Sequence, residues 1–287
     1  MKYDITASIV TFKNDRRILG EAIQSFLNSS LNIRLYIIDN SPDDTLRDIC
    51  NDPRCEYFFT GKNLGFGRAH NIAFRKTLAI SKYHLVLNPD VYFDSPVLER
   101  LYEFMENNPD VGHVMPKVLY PNGEVQYLCK LLPTPVDLFG RRFFGKTQWV
   151  ERRNKIYELH ASGYNKIMNV PCLSGCFMFL RTTALKDVGF FDEKFFMYNE
   201  DVDLTRRMHE KYKTIFFPDV SVHHHYEKGS YKSFKLMVFN IHGSIVYFTK
   251  WGWLFDRSRK AINKAFIETY LGRDAHQYIV EHENSLQ

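Results

Sequence analysis

The stretch Gly189-Phe190-Phe191-Asp192-Glu193, followed by Phe195-Phe196-Met197-Tyr198-Asn199-Glu200-Asp201-Val202-Asp203, crowds carboxylates among aromatic rings. Carboxylates beside apolar rings are costly to desolvate unless a partner or a proton-transfer role explains them. Negative charge in the first turn of a helix beginning at Asn199 or Glu200 suits the helix dipole, which accounts for Glu200, Asp201 and Asp203 without any chemistry. It does not account for the Phe-Phe-Met-Tyr approach, which would wall a dry pocket. Asn88-Pro89-Asp90 closes an apolar run and reads either as an ordinary turn or as one fixed carboxylate for Mg²⁺ or Mn²⁺. Thr11, Phe12 and Asp39 close two further runs. An acid there can accept from a ribose or a base edge while the ring offers a stacking face, but Asp39 equally opens an Asx-turn into Ser41-Pro42. Asn63-Leu64-Gly65-Phe66-Gly67 can lay backbone amides against a phosphate, although Gly61, Gly65 and Gly67 do not form the G-x-G-x-x-G dinucleotide pattern. His223-His224-His225 adds a metal candidate, in which His223 and His225 share one face of an extended chain.

These residues need elements to hold them. Ile5–Thr11 reads as a strand, and Ile18, Leu19, Ala22, Ile23, Phe26 and Leu27 then recur at helical spacing. Ile33–Ile38, Glu56–Phe59 and His84–Leu87 are further strands, with a helix from the Gly61–Gly67 loop to about Ile80. Strand–helix alternation predicts a mostly parallel sheet covered by helices, with ligands at the carboxyl ends of the strands. Farther on, Cys176–Leu180 and Thr214–Phe217 read as strands, and two amphipathic helices come after Lys228, joined at Trp251-Gly252-Trp253. The expected division is a domain over 1–227, its nucleotide-binding half about 1–120 and its acceptor-side half about 121–227, with a helical extension over 228–287.

Composition removes other classes. With 38 Lys+Arg against 33 Asp+Glu, a net charge of +5 does not imply nucleic acid. The five Cys are too few and too irregular for a disulfide scaffold, and Cys172 and Cys176 lack zinc-knuckle spacing, which predicts a reduced, cytosolic chain. No signal segment is expected. The longest apolar run, Leu236 to Phe248, is broken by Asn240, His242 and Ser244.

In this order the motifs are similar to those of the inverting family-2 glycosyltransferases with the GT-A fold. Those quoted above, with Val10-Thr11-Phe12-Lys13-Asn14, Ile38-Asp39-Asn40-Ser41 and Leu87-Asn88-Pro89-Asp90, resemble the rhamnosyltransferase-like branch that builds O-antigen and other surface polysaccharides, over about residues 3–250. The resemblance implies that Thr11, Phe12 and Asp39 hold the nucleoside of a dTDP- or UDP-sugar, with Asn63 and Asn88 on the donor side. It implies that Asp90, the last acid of a D-x-D motif whose first position is Asn88, ligates Mg²⁺ or Mn²⁺ through the diphosphate, with His223 completing the site. Asp201 matches the general base and Glu200 is assigned to the acceptor side. One departure is Ala69-His70-Asn71, where many members carry Ala-Arg-Asn; Arg68 sits on a different helix face.

The resemblance further implies L-rhamnose from dTDP-rhamnose, or a hexose from a UDP donor, passed to a polyprenyl-diphosphate-linked glycan at the inner face of the cytoplasmic membrane. For membrane contact the sequence offers the Arg141–Arg153 basic-aromatic cluster and Lys250-Trp251-Gly252-Trp253-Leu254-Phe255 with the cations after it; core packing of Trp251 and Trp253 is the competing reading. A sugar nucleotidyltransferase would need a glycine-rich loop directly after the first strand, whereas Thr11 is followed by Phe12-Lys13-Asn14-Asp15. A dead binding module would have no use for Asp90, Asp201 and His223.

Overall fold

The computed structural model describes residues 1–140, 147–225 and 233–271. Strand β1 (Tyr3–Thr11) is covered on both faces. Ile5, Ala7 and Ile9 enter the main apolar cluster, while Thr6 and Ser8 are just as buried on the other side. Polar groups held there must pair internally. Thr6 Oγ1 lies 2.9 Å from His84 Nδ1, and Ser8 Oγ links His84 Nε2 at 2.8 Å to His70 Nδ1 at 2.7 Å.

Helix α1 (Arg16–Leu27) starts where the Asp15 carboxylate accepts from the N–H groups of Arg17 and Ile18, and buries Leu19, Ala22, Ile23, Phe26 and Leu27 as its spacing predicts. Next in the chain are β2 (Ile33–Asp39), β3 (Cys55–Phe59), α2 (Phe66–Thr77), β4 (Ser81–Leu87), β5 (Val91–Tyr92), α3 (Val97–Asn107) and β6 (Val111–Leu119). The second half supplies β7 (Cys129–Lys130), α4 (Gln148–Tyr157), β8 (Met168–Asn169), β9 (Cys172–Leu173), β10 (Phe177–Arg181), α5 (Thr182–Val188), α6 (Glu200–His209) and β11 (Lys213–His224). Helices α7 (Phe234–Trp251) and α8 (Arg257–Tyr270) complete the described residues.

The main sheet runs β3-β2-β1-β4-β10-β6-β11-β5, with β8 added on β11. The pairs β1–β2, β1–β4, β2–β3 and β6–β11 are parallel, while β10 is antiparallel to both neighbours. This is the mostly parallel, helix-flanked α/β sheet expected. Register aligns the strand ends: Thr11 pairs with Asp39, Asp39 with Phe59, Ile9 with Leu87, and Phe177 with Leu87.

Some of this was not anticipated. Strand β11 continues past Phe217 to His224, because a register shift between Phe217 and Ser221 accommodates Pro218, whose missing N–H would otherwise end a strand. Cys50 and Cys55 are joined, against the expectation of a fully reduced chain; Cys129, Cys172 and Cys176 are free and buried.

The C-terminal helices are fastened to the sheet. Tyr247 and Phe248 of α7 share an apolar cluster with Leu132, Phe195 and Val202, and Phe266 and Ile267 of α8 join the main core. Arg206, in α6, donates to both oxygens of Asp256 at 2.7 and 2.9 Å, with side chains only 1% and 4% exposed. Removing one partner leaves a buried charge alone. Asp256→Ala is therefore expected to lower unfolding free energy by about 3–5 kcal/mol in urea titrations, and Arg206→Met with Asp256→Leu to recover most of it.

Candidate active site

Residues from several segments gather at the carboxyl edge of the sheet, where Thr11 pairs with Asp39 and Asp39 with Phe59. At the end of β1 the Thr11 hydroxyl donates to Asn14 Oδ1 at 2.9 Å, and the Phe12 N–H reaches the same oxygen at 2.8 Å. This folds the backbone back and leaves the Phe12 ring 46% exposed, free to stack. Asp39 is buried. Its Oδ1 accepts from Ser41 N at 2.8 Å, the Asx-turn, and its Oδ2 from the Tyr57 hydroxyl at 2.6 Å. Burial and the Asp39 carboxylate together raise the Tyr57 pKa, so this phenol stays a donor. Asn63 Oδ1 caps the Gly65 N–H at 2.9 Å. Gly65 has φ +86°, and a Cβ there would run into the Phe196 carbonyl, which already accepts from Phe66 N at 3.0 Å. The strand-to-helix loop is thereby bound to the aromatic approach of the acidic cluster.

His70 does not face that loop. It is fully buried against Ser8, Phe66 and Phe191, and burial holds its pKa well below the usual imidazole value. A neutral core histidine supplies no cation to a phosphate.

The two principal acids share one bridge. Asn88 N donates to the Cys176 carbonyl at 2.9 Å, and the Gly175 N–H donates to Asp201 Oδ2 at 2.8 Å. Ser174-Gly175-Cys176 thus lies between Asn88-Pro89-Asp90 and Asp201. Burial pushes the Cys176 thiol up to about 12, with the Asp90 and Asp201 charges acting in the same direction. Asp201 is half-buried and its Oδ1 accepts from Val202 N at 2.9 Å, so two amides orient a carboxylate that keeps a lone pair on each oxygen.

Asp203 is different. It is fully buried and held by Arg207 at 3.0 Å, Lys250 at 2.8 Å and the Trp251 indole N–H at 2.8 Å, which makes it a structural anchor for α7. Tyr198 and Asn199 both adopt positive φ, +71° and +68°. That unusual pair of left-handed residues turns the chain into α6. Helix α7 secures the turn: Gly243 packs on the Tyr198 and Met197 carbonyls, and Asn199 Nδ2 donates to Ser244 Oγ at 3.2 Å.

Glu200 is buried, and its Oε2 has no hydrogen-bond partner among the described residues. Burial, then the neighbouring Asp201 carboxylate, raises its pKa to about 8. The folded chain therefore keeps a proton that the unfolded chain releases near 4.5, so stability declines as pH rises across that window. Glu200→Gln should flatten this slope in denaturant titrations. It should also remove an alkaline fall in turnover near pH 8, where the wild type gains a second charge beside Asp201.

The histidine triplet is divided between the two faces of its strand. His223 and His225 do share a face, and both rings lie against Tyr92, at 5.1 and 5.0 Å. Strand alternation sends His224 to the opposite side, and it is His224 Nε2, not His223, that comes within 3.4 Å of Asp90 Oδ1. His223 Nδ1 instead lies 3.3 Å from the Tyr120 carbonyl. Gln126 donates through Nε2 to the His224 and Leu119 carbonyls, which turns its Oε1 toward His224 Nδ1 at 3.0 Å. With the Nδ1 proton so engaged, Nε2 meets the Asp90 carboxylate with either a second proton or a lone pair. In the second case two acceptors face each other, an arrangement that a shared cation would relieve. One carboxylate and one imidazole, completed by phosphate oxygens, suit Mn²⁺ and, less well, Mg²⁺. Among the described residues no cluster of three or more metal-ligating side chains occurs.

Gly175, Tyr57 and the Gly243-Ser244 pair escaped sequence reasoning, and His224 was named only as one of its triplet. A Ser-Gly step before an apolar strand reads as a plain turn, and the other residues act only through partners distant in the chain.

The family model described as "Glycosyl transferase family 2" matches residues 8–189. The chain is 28% identical over 190 residues to the N-acetylglucosaminyl-diphospho-decaprenol L-rhamnosyltransferase of Mycobacterium tuberculosis, covering 60% of this chain and 59% of that protein. It is 23% identical over 207 residues to the low-salt glycan biosynthesis hexosyltransferase Agl10 of Haloferax volcanii, covering 71% and 61%. The matched region spans about three fifths of the length of these curated relatives. Among solved structures, S. aureus TarS 1–349 superposes with a TM-score of 0.56 at 16% identity, over 94% of this chain and 71% of that one. GalNAc-T7 with UDP, GalNAc and Mn²⁺ gives 0.58 at 13% identity, over 78% and 44%. At such identities the likeness is one of fold.

Proposed function

The chain belongs to glycosyl transferase family 2, and from that premise we propose that it transfers a sugar, with inversion, from a nucleotide-sugar donor to a hydroxyl of a lipid-linked glycan acceptor. One observation carries the reading: Ser174-Gly175-Cys176 is hydrogen-bonded to Asn88 on one side and to Asp201 on the other. A diphosphate beside Asp90 and an acceptor hydroxyl beside Asp201 would then lie within reach of each other. Asp201 takes the hydroxyl proton, the freed oxygen attacks the anomeric carbon from the face opposite the diphosphate, and the bond to the diphosphate breaks. A carboxylate nucleophile is not needed, since no glycosyl-enzyme forms. Thr11, Phe12, Asp39 and Asn63 shape the nucleoside side, with Phe12 as the stacking surface; Asp39 acts chiefly by fixing the turn. Glu200, whose pKa burial and the Asp201 charge raise, would stand on the acceptor side next to the base.

A divalent metal, when bound, would neutralise the departing diphosphate. Asp90 and His224 are the residues that would hold it, in place of the Asp90 and His223 pair. Asp90→Asn and His224→Gln are expected to weaken Mn²⁺ binding at least tenfold, read by the loss of the free Mn²⁺ resonance signal, whereas His223→Gln leaves it unchanged. Chelation by EDTA should abolish transfer, and full activity after exhaustive chelation would remove the metal from the scheme.

For the donor we favour L-rhamnose from dTDP-rhamnose, supported by the similarity to the mycobacterial rhamnosyltransferase. A UDP-hexose is the alternative, supported by the likeness to a hexosyltransferase. A panel of dTDP- and UDP-sugars scored by nucleotide release separates them. The acceptor reading places the enzyme at the inner face of the cytoplasmic membrane in surface-polysaccharide synthesis. Among the described residues no helix is long and apolar enough to cross a membrane.

A further inference from the structure

The turn between α7 and α8 is fixed at both ends and bare in the middle. At its start the Trp251 indole N–H donates to Asp203 at 2.8 Å, and the ring lies under the Arg206 guanidinium at 3.9 Å. At its end Asp256 takes both Arg206 hydrogen bonds. Asp203 and Arg206 belong to α6, the helix that begins at Glu200-Asp201, so the turn is braced against the acid-bearing helix. Between the anchors, Leu254 is 77% and Phe255 92% exposed, while Trp253 stacks on Phe139 and keeps 42% of its surface open. Flexible tails often expose single apolar residues. Leu254 and Phe255, in succession on a braced turn beside the half-open Trp253, have no folding rationale and mark an interaction site.

The residues after the turn indicate the partner. Arg257, Lys260 and Lys264 are exposed, and their spacing puts them on one face of α8, while Arg259, Phe266 and Ile267 face inward. The acid at this end, Asp256, is already engaged by Arg206, and Glu268, 3.8 Å from Lys264, is the first acid beyond it. We propose that Trp253-Leu254-Phe255, backed by this cationic face, is a docking surface for an anionic lipid bilayer. Aromatic and aliphatic side chains enter the headgroup boundary while the cations meet lipid phosphates.

This surface differs from the one anticipated from sequence. Trp251 is a packing residue, Lys250 is committed to Asp192 and Asp203, and Arg153 is paired with Asp137 at 2.7 Å. Arg141, Arg142, Phe143, Phe144 and Lys146 lie outside the described residues. The proposal deepens the lipid-linked acceptor reading and rests on it for its purpose, but binding is measured with neither donor nor acceptor, so either can fail without the other.

The experiment is co-sedimentation of the full chain with phosphatidylglycerol-containing or pure phosphatidylcholine vesicles, at low and high salt. Binding to the anionic vesicles alone, released by salt, is expected. Leu254→Ser with Phe255→Ser, and separately Arg257→Glu with Lys260→Glu and Lys264→Glu, should each weaken it by about tenfold or more. Both variants should keep the wild-type circular dichroism and wild-type transfer to a water-soluble acceptor. Absence of binding at low salt, or equal binding by the variants, overturns the proposal. So does a self-association in analytical ultracentrifugation that Leu254→Ser with Phe255→Ser abolishes, which would make the turn a contact between copies of the chain.

Discussion

Asp201→Asn is expected to lower turnover by about a hundredfold or more while leaving nucleotide-sugar affinity within about twofold. The substitution preserves shape and removes the basic lone pair. Asn Oδ1 can still accept from the Gly175 N–H, which now holds Asp201 Oδ2 at 2.8 Å, so the Ser174–Cys176 bridge and the donor side beyond it stay in place. Steady-state kinetics with isothermal titration of the donor would separate the two effects. The informative control is Asp203→Asn. That carboxylate holds Arg207, Lys250 and Trp251, so its loss should reduce stability far more than the turnover of the folded fraction. If Asp203→Asn silenced a stably folded enzyme and Asp201→Asn did not, the base would have been assigned to the wrong acid.

Gly175→Ala is the second large effect, and it removes no reactive group. A Cβ at position 175 would stand 2.9 Å from Asp201 Cβ and 3.2 Å from its Oδ2. Asp201 sits in the first turn of α6, and its Cβ cannot swing away like the end of a long side chain. The carboxylate must therefore shift by a few tenths of an ångström or more. Displacements approaching 1 Å cost about a hundredfold where a proton must be taken in a fixed geometry. The expected outcome is a fall of about ten- to a hundredfold in kcat, an unchanged donor KM, and a stability loss of about 1–3 kcal/mol from overpacking. Gly20→Ala is the matched control, since nothing lies within 4 Å of a Cβ there. Unchanged kcat in Gly175→Ala would mean that the close packing of residue 175 against Asp201 does not set the position of the base.

Much of the framework is dictated by local pattern. Leu19, Ala22, Ile23 and Phe26 recur at helical spacing behind the Asp15 cap, so α1 needed no tertiary information. The apolar runs ending at Thr11, Asp39 and Leu87, with turn residues after each, define parallel strands, and in such sheets ligands bind at the carboxyl ends. Motif order along the chain was enough to identify the family. The short β-ladders and α4 were not legible, because two-residue strands and a polar helix take their stability from what they pack against.

By itself, then, the sequence determined the fold class and the family, and it singled out the carboxyl edge of the sheet and the acidic cluster on which the proposed base lies. Only the tertiary structure separated the members of each cluster by what they touch. Asp201 and Asp203 are two residues apart in one acidic run, yet Asp203 is held by the Lys250 ammonium and the Trp251 indole N–H, some fifty positions away. His223 and His224 are adjacent, yet alternation in a strand extended through a bulge brings the second to Asp90 and turns the first to Tyr92. Trp251 and Phe255 share one aromatic run, yet one is fixed beneath Arg206 and the other stands in solvent. In each case the neighbours have the same local propensity. The choice between them depends on register and on charge partners that only the folded chain brings together.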